Sequence, residues 1–128
     1  MKLKEIVELF NCMIYTPSIY NENKDIDYAF CADLVSDTLM VLRTINDEKR
    51  LSKTIIITGL VTNQSVRAAE ILDVPVILFV RGKKPQEQVV NCAIEAGITI
   101  LMTEWTMFNT SGEMYIRKVK GLTSNLDR

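Results

Sequence analysis

The stretch 54-TIIITGLVTNQSVRAAEILDVPVILFVRGKKPQEQVVNCAIEAGITILMT-103 decides the fold. Three runs in it, TIIIT (54–58), VPVILFV (74–80) and ITILMT (98–103), are β-branched and aliphatic on both faces, as parallel strands buried on both sides are. They begin 20 and 24 residues apart, too few copies for a solenoid and the right spacing for α/β winding. Between them lie two segments of helical period. In 62–73, Val66, Ala69 and Leu72 share a face; in 85–97, Val89, Val90, Ala93 and Ile94 are expected to point inward. Pro85 falls where a helix begins and Gly97 where one ends. Pro75 prevents the first helix from continuing. Each unit reads as strand, helix, strand with short links, which yields parallel strands with right-handed crossovers.

Outward from this centre the pattern weakens. Leu3, Ile6, Val7 and Phe10 have helical spacing in 3–10, CMIY (12–15) reads as a strand, and 16–27 as a loop. YAFCA (28–32) predicts a strand, 35–45 a helix and 46–53 a solvated connection. In the tail, Phe108, Gly112, Tyr115, Ile116 and Val119 predict one broken helix, or a helix plus an irregular end, over 104–122. Trp105 and Phe108 are expected in the core or at an interface. The fold class is α/β, a single-domain, largely parallel sheet flanked by helices, with the domain over 1–120 and a frayed tail over 121–128.

Composition sets limits. A chain of 128 residues is one domain by length and can bury roughly two-thirds of its unfolded surface. With 15 basic and 16 acidic residues there is no general pull toward nucleic acid or an anionic membrane. The chain has no histidine. That excludes His-based acid–base catalysis, Ser–His and Cys–His pairs, and His-containing metal sites. Cys12, Cys31 and Cys92 are scattered, without a CxxC pair, and are expected as reduced packing residues. The N-terminus lacks a signal-type apolar core and no run approaches the ~20 apolar residues of a membrane helix. The expectation is a soluble, cytoplasmic protein.

In open parallel sheets ligands gather at the carboxyl ends of strands, beside helix N-termini. Four such corners are present. Asp33, Ser36 and Asp37 could cap a helix, line a pocket or, with Glu104, form a carboxylate site. Thr58 and Gly59 run to Thr62 and Asn63, where a cap is the plain alternative to ligand contact. Arg81, Gly82, Lys83 and Lys84 form a local basic cluster suited to a phosphate or carboxylate, or simply solvated loop charges. Thr103 and Glu104 make the fourth. Neither a P-loop nor a GxGxxG fingerprint is present.

From YAFCADLVSDTL onward the chain resembles the DRTGG domain family. Asp33-Leu34-Val35-Ser36-Asp37 is similar to the family's "DLLSD"-like helix start. Gly82, Pro85, Ala93, Gly97, Ile98 and Thr103 match the later pattern, with Phe108 and Gly112 following at the family spacing. The opening MKLKEIVELFNCMIY also resembles the family, so the likeness covers about residues 1–116. The name-giving signature should fall at NKDIDYA (23–29), which has no Arg, no Thr and no Gly-Gly. The resemblance implies a flavodoxin-like or Mur-ligase N-terminal-like α/β sandwich, similar to the N-terminal domain of HPr kinase/phosphorylase. Such domains accompany phosphotransacetylases and CBS-containing pyrophosphatases, and free-standing copies occur beside iron-only hydrogenase genes. The implied function is a non-catalytic regulatory domain that homodimerises and senses a small anionic, nucleotide-like ligand, without a cofactor. The alternative is an assembly module or accessory subunit joined to a partner enzyme, with no small-molecule ligand. Its apolar surface would come from Trp105, Met107, Phe108, Met114 or Tyr115.

Overall fold

The computed structural model of the protein describes residues 1–42, 44–45 and 47–122. Its centre is a six-stranded sheet in the order β1-β5-β4-β3-β2-β6. The strands are β1 (Met13–Ile14), β2 (Tyr28–Cys31), β3 (Thr54–Thr58), β4 (Val76–Phe79), β5 (Thr99–Met102) and β6 (Lys120–Gly121). β2 to β5 are mutually parallel, with Tyr28 opposite Thr54, Ile55 opposite Val76 and Val76 opposite Thr99. Of the two short edges, β6 is parallel to β2 and β1 antiparallel to β5.

The two-sided apolarity of the central strands follows from two separate cores. Ile56, Ile77, Phe79, Ile100 and Met102 pack on one face against α4 (Asn63–Leu72), α5 (Glu87–Ala96) and residues of α2 (Val35–Leu42). Ile55, Ile57, Val76, Leu78, Val80 and Leu101 pack on the other, with Leu3 and Ile6 of α1 (Leu3–Leu9) and Met114 of α6 (Met107–Ile116). Alternate residues of each strand thus enter opposite cores, giving a three-layer αβα sandwich. No helix among the described residues is long and apolar enough to cross a membrane.

The central expectations hold for β3, β4, β5, α4 and α5, and Val66, Ala69, Leu72, Val89 and Ala93 are buried. Several details differ. Val90 is only half-buried and Ile94 is exposed, so α5 turns Val89 and Ala93 inward instead. Pro85 precedes the first residue outside α5, Gln86, instead of opening the helix. The expected connection 46–53 contains a short helix, α3 (Glu48–Leu51), started by Asp47, whose carboxylate accepts from the Lys49 and Arg50 amides. Leu51 of that helix enters the core. Arg43 and Asn46, within the segments expected over 35–53, lie outside the described residues.

In the tail the helix with an irregular end holds, and the break at Gly112 does not. α6 runs unbroken through Gly112, and it buries Thr110 and Met114 while Phe108, Tyr115 and Ile116 stand in solvent. Thr110 can be buried because its hydroxyl donates to the Thr106 carbonyl at 2.7 Å. Trp105 does reach the core, edge-on to Phe10 at 4.9 Å. Gly121, expected in a frayed tail, belongs to β6, and Leu122 is buried; residues 123–128 lie outside the described part. None of the cysteines is fully buried: Cys12 and Cys92 are half-buried and Cys31 is exposed.

Candidate ligand site at the carboxyl rim

The shared direction of β2 to β5 brings their carboxyl ends to one rim. β2 passes into a turn carrying Asp33, whose Oδ1 accepts from the Gly59 amide at 2.8 Å. That bond ties the turn after β2 to the turn after β3. Asp33 therefore serves the neighbouring strand end, and no side-chain hydrogen bond from it starts α2. Ser36 and Asp37 lie exposed on the first turn of α2, and neither side chain makes a hydrogen bond or ion pair among the described residues. Thr58 is buried and its Oγ1 accepts from the Leu60 amide at 3.1 Å, tightening the same turn.

β4 ends in a sharper corner. Arg81 and Gly82 both adopt left-handed backbone, with φ of 63° and 66°. For a side-chain-bearing residue this conformation costs roughly 1–2 kcal/mol. Two bonds hold it: the Arg81 amide donates to the Trp105 carbonyl and the Gly82 amide to the Thr103 carbonyl, each at 2.8 Å. The corner throws the Arg81 guanidinium over Gly59. A Cβ on Gly59 would collide with that guanidinium and would lie 3.2 Å from Asp33 Oδ1. A Cβ on Gly82 would collide with the Glu104 carboxylate. Glycine at both positions lets charged groups close on the backbone.

The candidate residues thus divide. Asp33, Gly59 and Arg81 meet at one corner, Gly82 and Glu104 meet beside it, and Thr58 is buried beneath; Lys83 and Lys84 stand exposed alongside. Among the described residues, Arg81, Lys83, Lys84 and Glu104 make no side-chain hydrogen bond or ion pair. Thr103 is enclosed: its hydroxyl donates to the Phe10 carbonyl at 2.7 Å and accepts from the Trp105 amide at 3.2 Å, leaving it no reach to solvent. Thr62 caps α4 by accepting from the Ser65 amide at 3.3 Å. Asn63 opens α4 beside it and lines a separate cleft of about 320 Å³ with Val61, Thr62, Gln64, Gln86, Gln88 and Val89. Gln86 and Gln88 are not among the residues that the sequence alone singles out. Only the approach of the two helix starts makes their amides part of a site, although their repeated, uncharged chemistry is visible in the sequence. Beneath the rim, between α2 and α4, a void of about 10 Å³ bounded by Leu34, Thr38, Thr58 and Ser65 is large enough for one water at most.

Little here favours chemistry over binding. Burial pushes the Cys12 thiol up to about 12, and burial raises that of Cys31 despite an opposing hydrogen bond from Ser111 at 3.0 Å. Cys31 is exposed as a residue, but crowding around its sulfur disfavours the thiolate. Both are poor nucleophiles at neutral pH. Among the described residues no three His, Cys, Asp or Glu side chains are grouped to hold a metal.

Neither a protein-family model nor a curated protein sequence matches the chain. Among solved structures it is similar to the CBS and DRTGG domains of the regulatory region of Clostridium perfringens pyrophosphatase, in complex with the activator diadenosine tetraphosphate. The TM-score is 0.62 at 13% identity, over 99% of this chain and 50% of that one. The fold is DRTGG-like. The chain spans half the length of the structure it matches, and at this identity the likeness concerns architecture alone.

Proposed function

We propose that residues 1–120 form a cytoplasmic, non-catalytic regulatory domain that senses a small anionic, nucleotide-like ligand at the corner formed by Asp33, Gly59, Arg81, Gly82 and Glu104. One observation carries this reading. Arg81 is held in a costly backbone conformation that sets its guanidinium over Gly59, yet the guanidinium has no partner among the described residues. Sparsely populated backbone held in place by its surroundings recurs at binding sites, and a guanidinium is suited to bidentate contact with phosphate. Lys83 and Lys84 add positive charge nearby, while Asp33 and Glu104 favour a ligand that also carries hydroxyl or amine donors. The similar pyrophosphatase region is regulatory and holds a nucleotide activator, which supports the class of ligand.

Thermal-shift measurements with adenine nucleotides, diadenosine polyphosphates and sugar phosphates test the reading. A ligand at 100 times its Kd should stabilise the fold by about 2.7 kcal/mol, and Arg81→Gly should remove the shift. The reading fails if no compound raises the melting temperature, or if the shift survives Arg81→Gly combined with Lys83→Ala and Lys84→Ala.

A second reading has its own support. Phe108, Tyr115 and Ile116 on α6 are 84%, 70% and 73% exposed, an apolar stripe suited to joining a second copy or a partner enzyme, as in a hydrogenase-associated accessory subunit. Homodimerisation through α6 is compatible with ligand sensing; assembly without any ligand is the true rival.

A further inference from the structure

Resting on the corner as the anion site, we infer that the cleft between the first turns of α4 and α5 receives the nucleobase of the same ligand, with Asn63 reading its hydrogen-bonding edge. The cleft is joined along the chain to the two loops that carry the corner: Val61 follows Gly59 by two residues, and Gln86 follows Gly82 by four. Its chemistry is of another kind. None of the side chains lining it is charged. Val61 and Val89 supply aliphatic surface for a flat ring, and the amides of Asn63, Gln64, Gln86 and Gln88 supply neutral donors and acceptors. A charged corner next to an uncharged, amide-rimmed cleft matches a ligand with an anionic end and a neutral heterocyclic end.

Asn63 is the deciding residue. Its Oδ1 is shut off from solvent and has no hydrogen-bond partner, and its amide as a whole makes no hydrogen bond among the described residues. Exchanging the amide's oxygen and nitrogen would enclose an NH2 group in place of the carbonyl. Buried polar groups are nearly always paired; in this rotamer the Asn63 Oδ1 faces inward without a partner, so rotation of the side chain toward the cleft it borders removes an unmade bond. A carboxamide sets an acceptor beside a donor, and the edge of a base sets an N–H beside a ring nitrogen or carbonyl, so the two pair doubly. Turning the Asn63 side chain toward the cleft brings this pair to the ligand.

Titration calorimetry on the full chain separates this inference from the reading beneath it. The probes are ribose 5-phosphate, the four common nucleoside 5′-monophosphates, and purine riboside 5′-monophosphate, which keeps the ring but lacks the amino group of adenine. The expected result is that the best nucleotide binds at least about tenfold tighter than ribose 5-phosphate, the equivalent of a hydrogen-bonded pair that would otherwise be left unmade. Asn63→Leu should erase that margin while leaving ribose 5-phosphate binding unchanged. The substitution deletes an unpaired buried acceptor, so the apo protein should melt no lower. Gln88→Ala, at an exposed position on α5, gives a second variant that keeps the fold and should reduce the margin in part. If adenosine monophosphate is the best ligand, purine riboside monophosphate should lose most of the advantage. The inference is overturned if every nucleotide matches ribose 5-phosphate, or if the margin survives Asn63→Leu; ribose 5-phosphate binding lost in Arg81→Gly then leaves the corner reading standing. Binding of no probe at all overturns both.

Discussion

Arg81 concentrates the argument at the scale of single residues. A glycine would adopt its φ of 63° without cost, so Arg81→Gly should raise unfolding free energy by about 1 kcal/mol in urea titrations while abolishing ligand binding. A residue kept for stability would show the opposite pair of effects. Cys12 offers a pH test. Its thiol, held neutral by burial, titrates near 12 instead of at its ordinary 9.0. The folded pKa is the higher one, so this contribution to stability is complete below pH 9 and is lost progressively as pH rises toward 12. Unfolding followed across that window should show wild type losing more stability than Cys12→Ala; equal losses would mean the thiol is not held neutral. Asp33, Arg81 and Glu104 were legible as candidates because strand ends and charge are local facts. The orphaned amide of Asn63 was not, because burial of one atom depends on how α4 packs.

Elements were legible in proportion to how much of their burial their own residues dictate. β3 is apolar at Ile55, Ile56 and Ile57 and has two cores to fill. β1 was legible from the short apolar run CMIY (12–15), whereas the two-residue edge β6 carries no such pattern, since open backbone groups on β2 recruit it. α3 hides in a run of charges because one cap and one buried leucine define it. Asp47→Ala should cost roughly 1 kcal/mol, read as a lower urea midpoint; an unchanged midpoint would mean that α3 forms without its cap. α6 misled because two stripes compete for its inner face. The tighter one, with Thr110 bonded to its own helix, lies inward, and the bulkier Phe108, Tyr115 and Ile116 remain outside.

At the scale of the whole molecule, a sheet covered on both faces makes both cores necessary. Leu78 is fully buried in the core shared with α1 and α6, and Leu78→Ala should cost about 3 kcal/mol in chemical unfolding; a loss below about 1 kcal/mol would argue against that packing. The exposed stripe of α6 is the face on which a second copy is expected to sit. Sedimentation velocity should show a concentration-dependent dimer in wild type and a monomer in Phe108→Glu. A monomer at every wild-type concentration would remove homodimerisation from the account. The most direct measurement is amide NMR during titration with the tightest nucleotide found. The account predicts saturable shifts at Gly59, Arg81 and Gly82, extending to Asn63 and Gln88 and absent in Arg81→Gly; shifts confined to α6 and the sheet edges, or none, would contradict it.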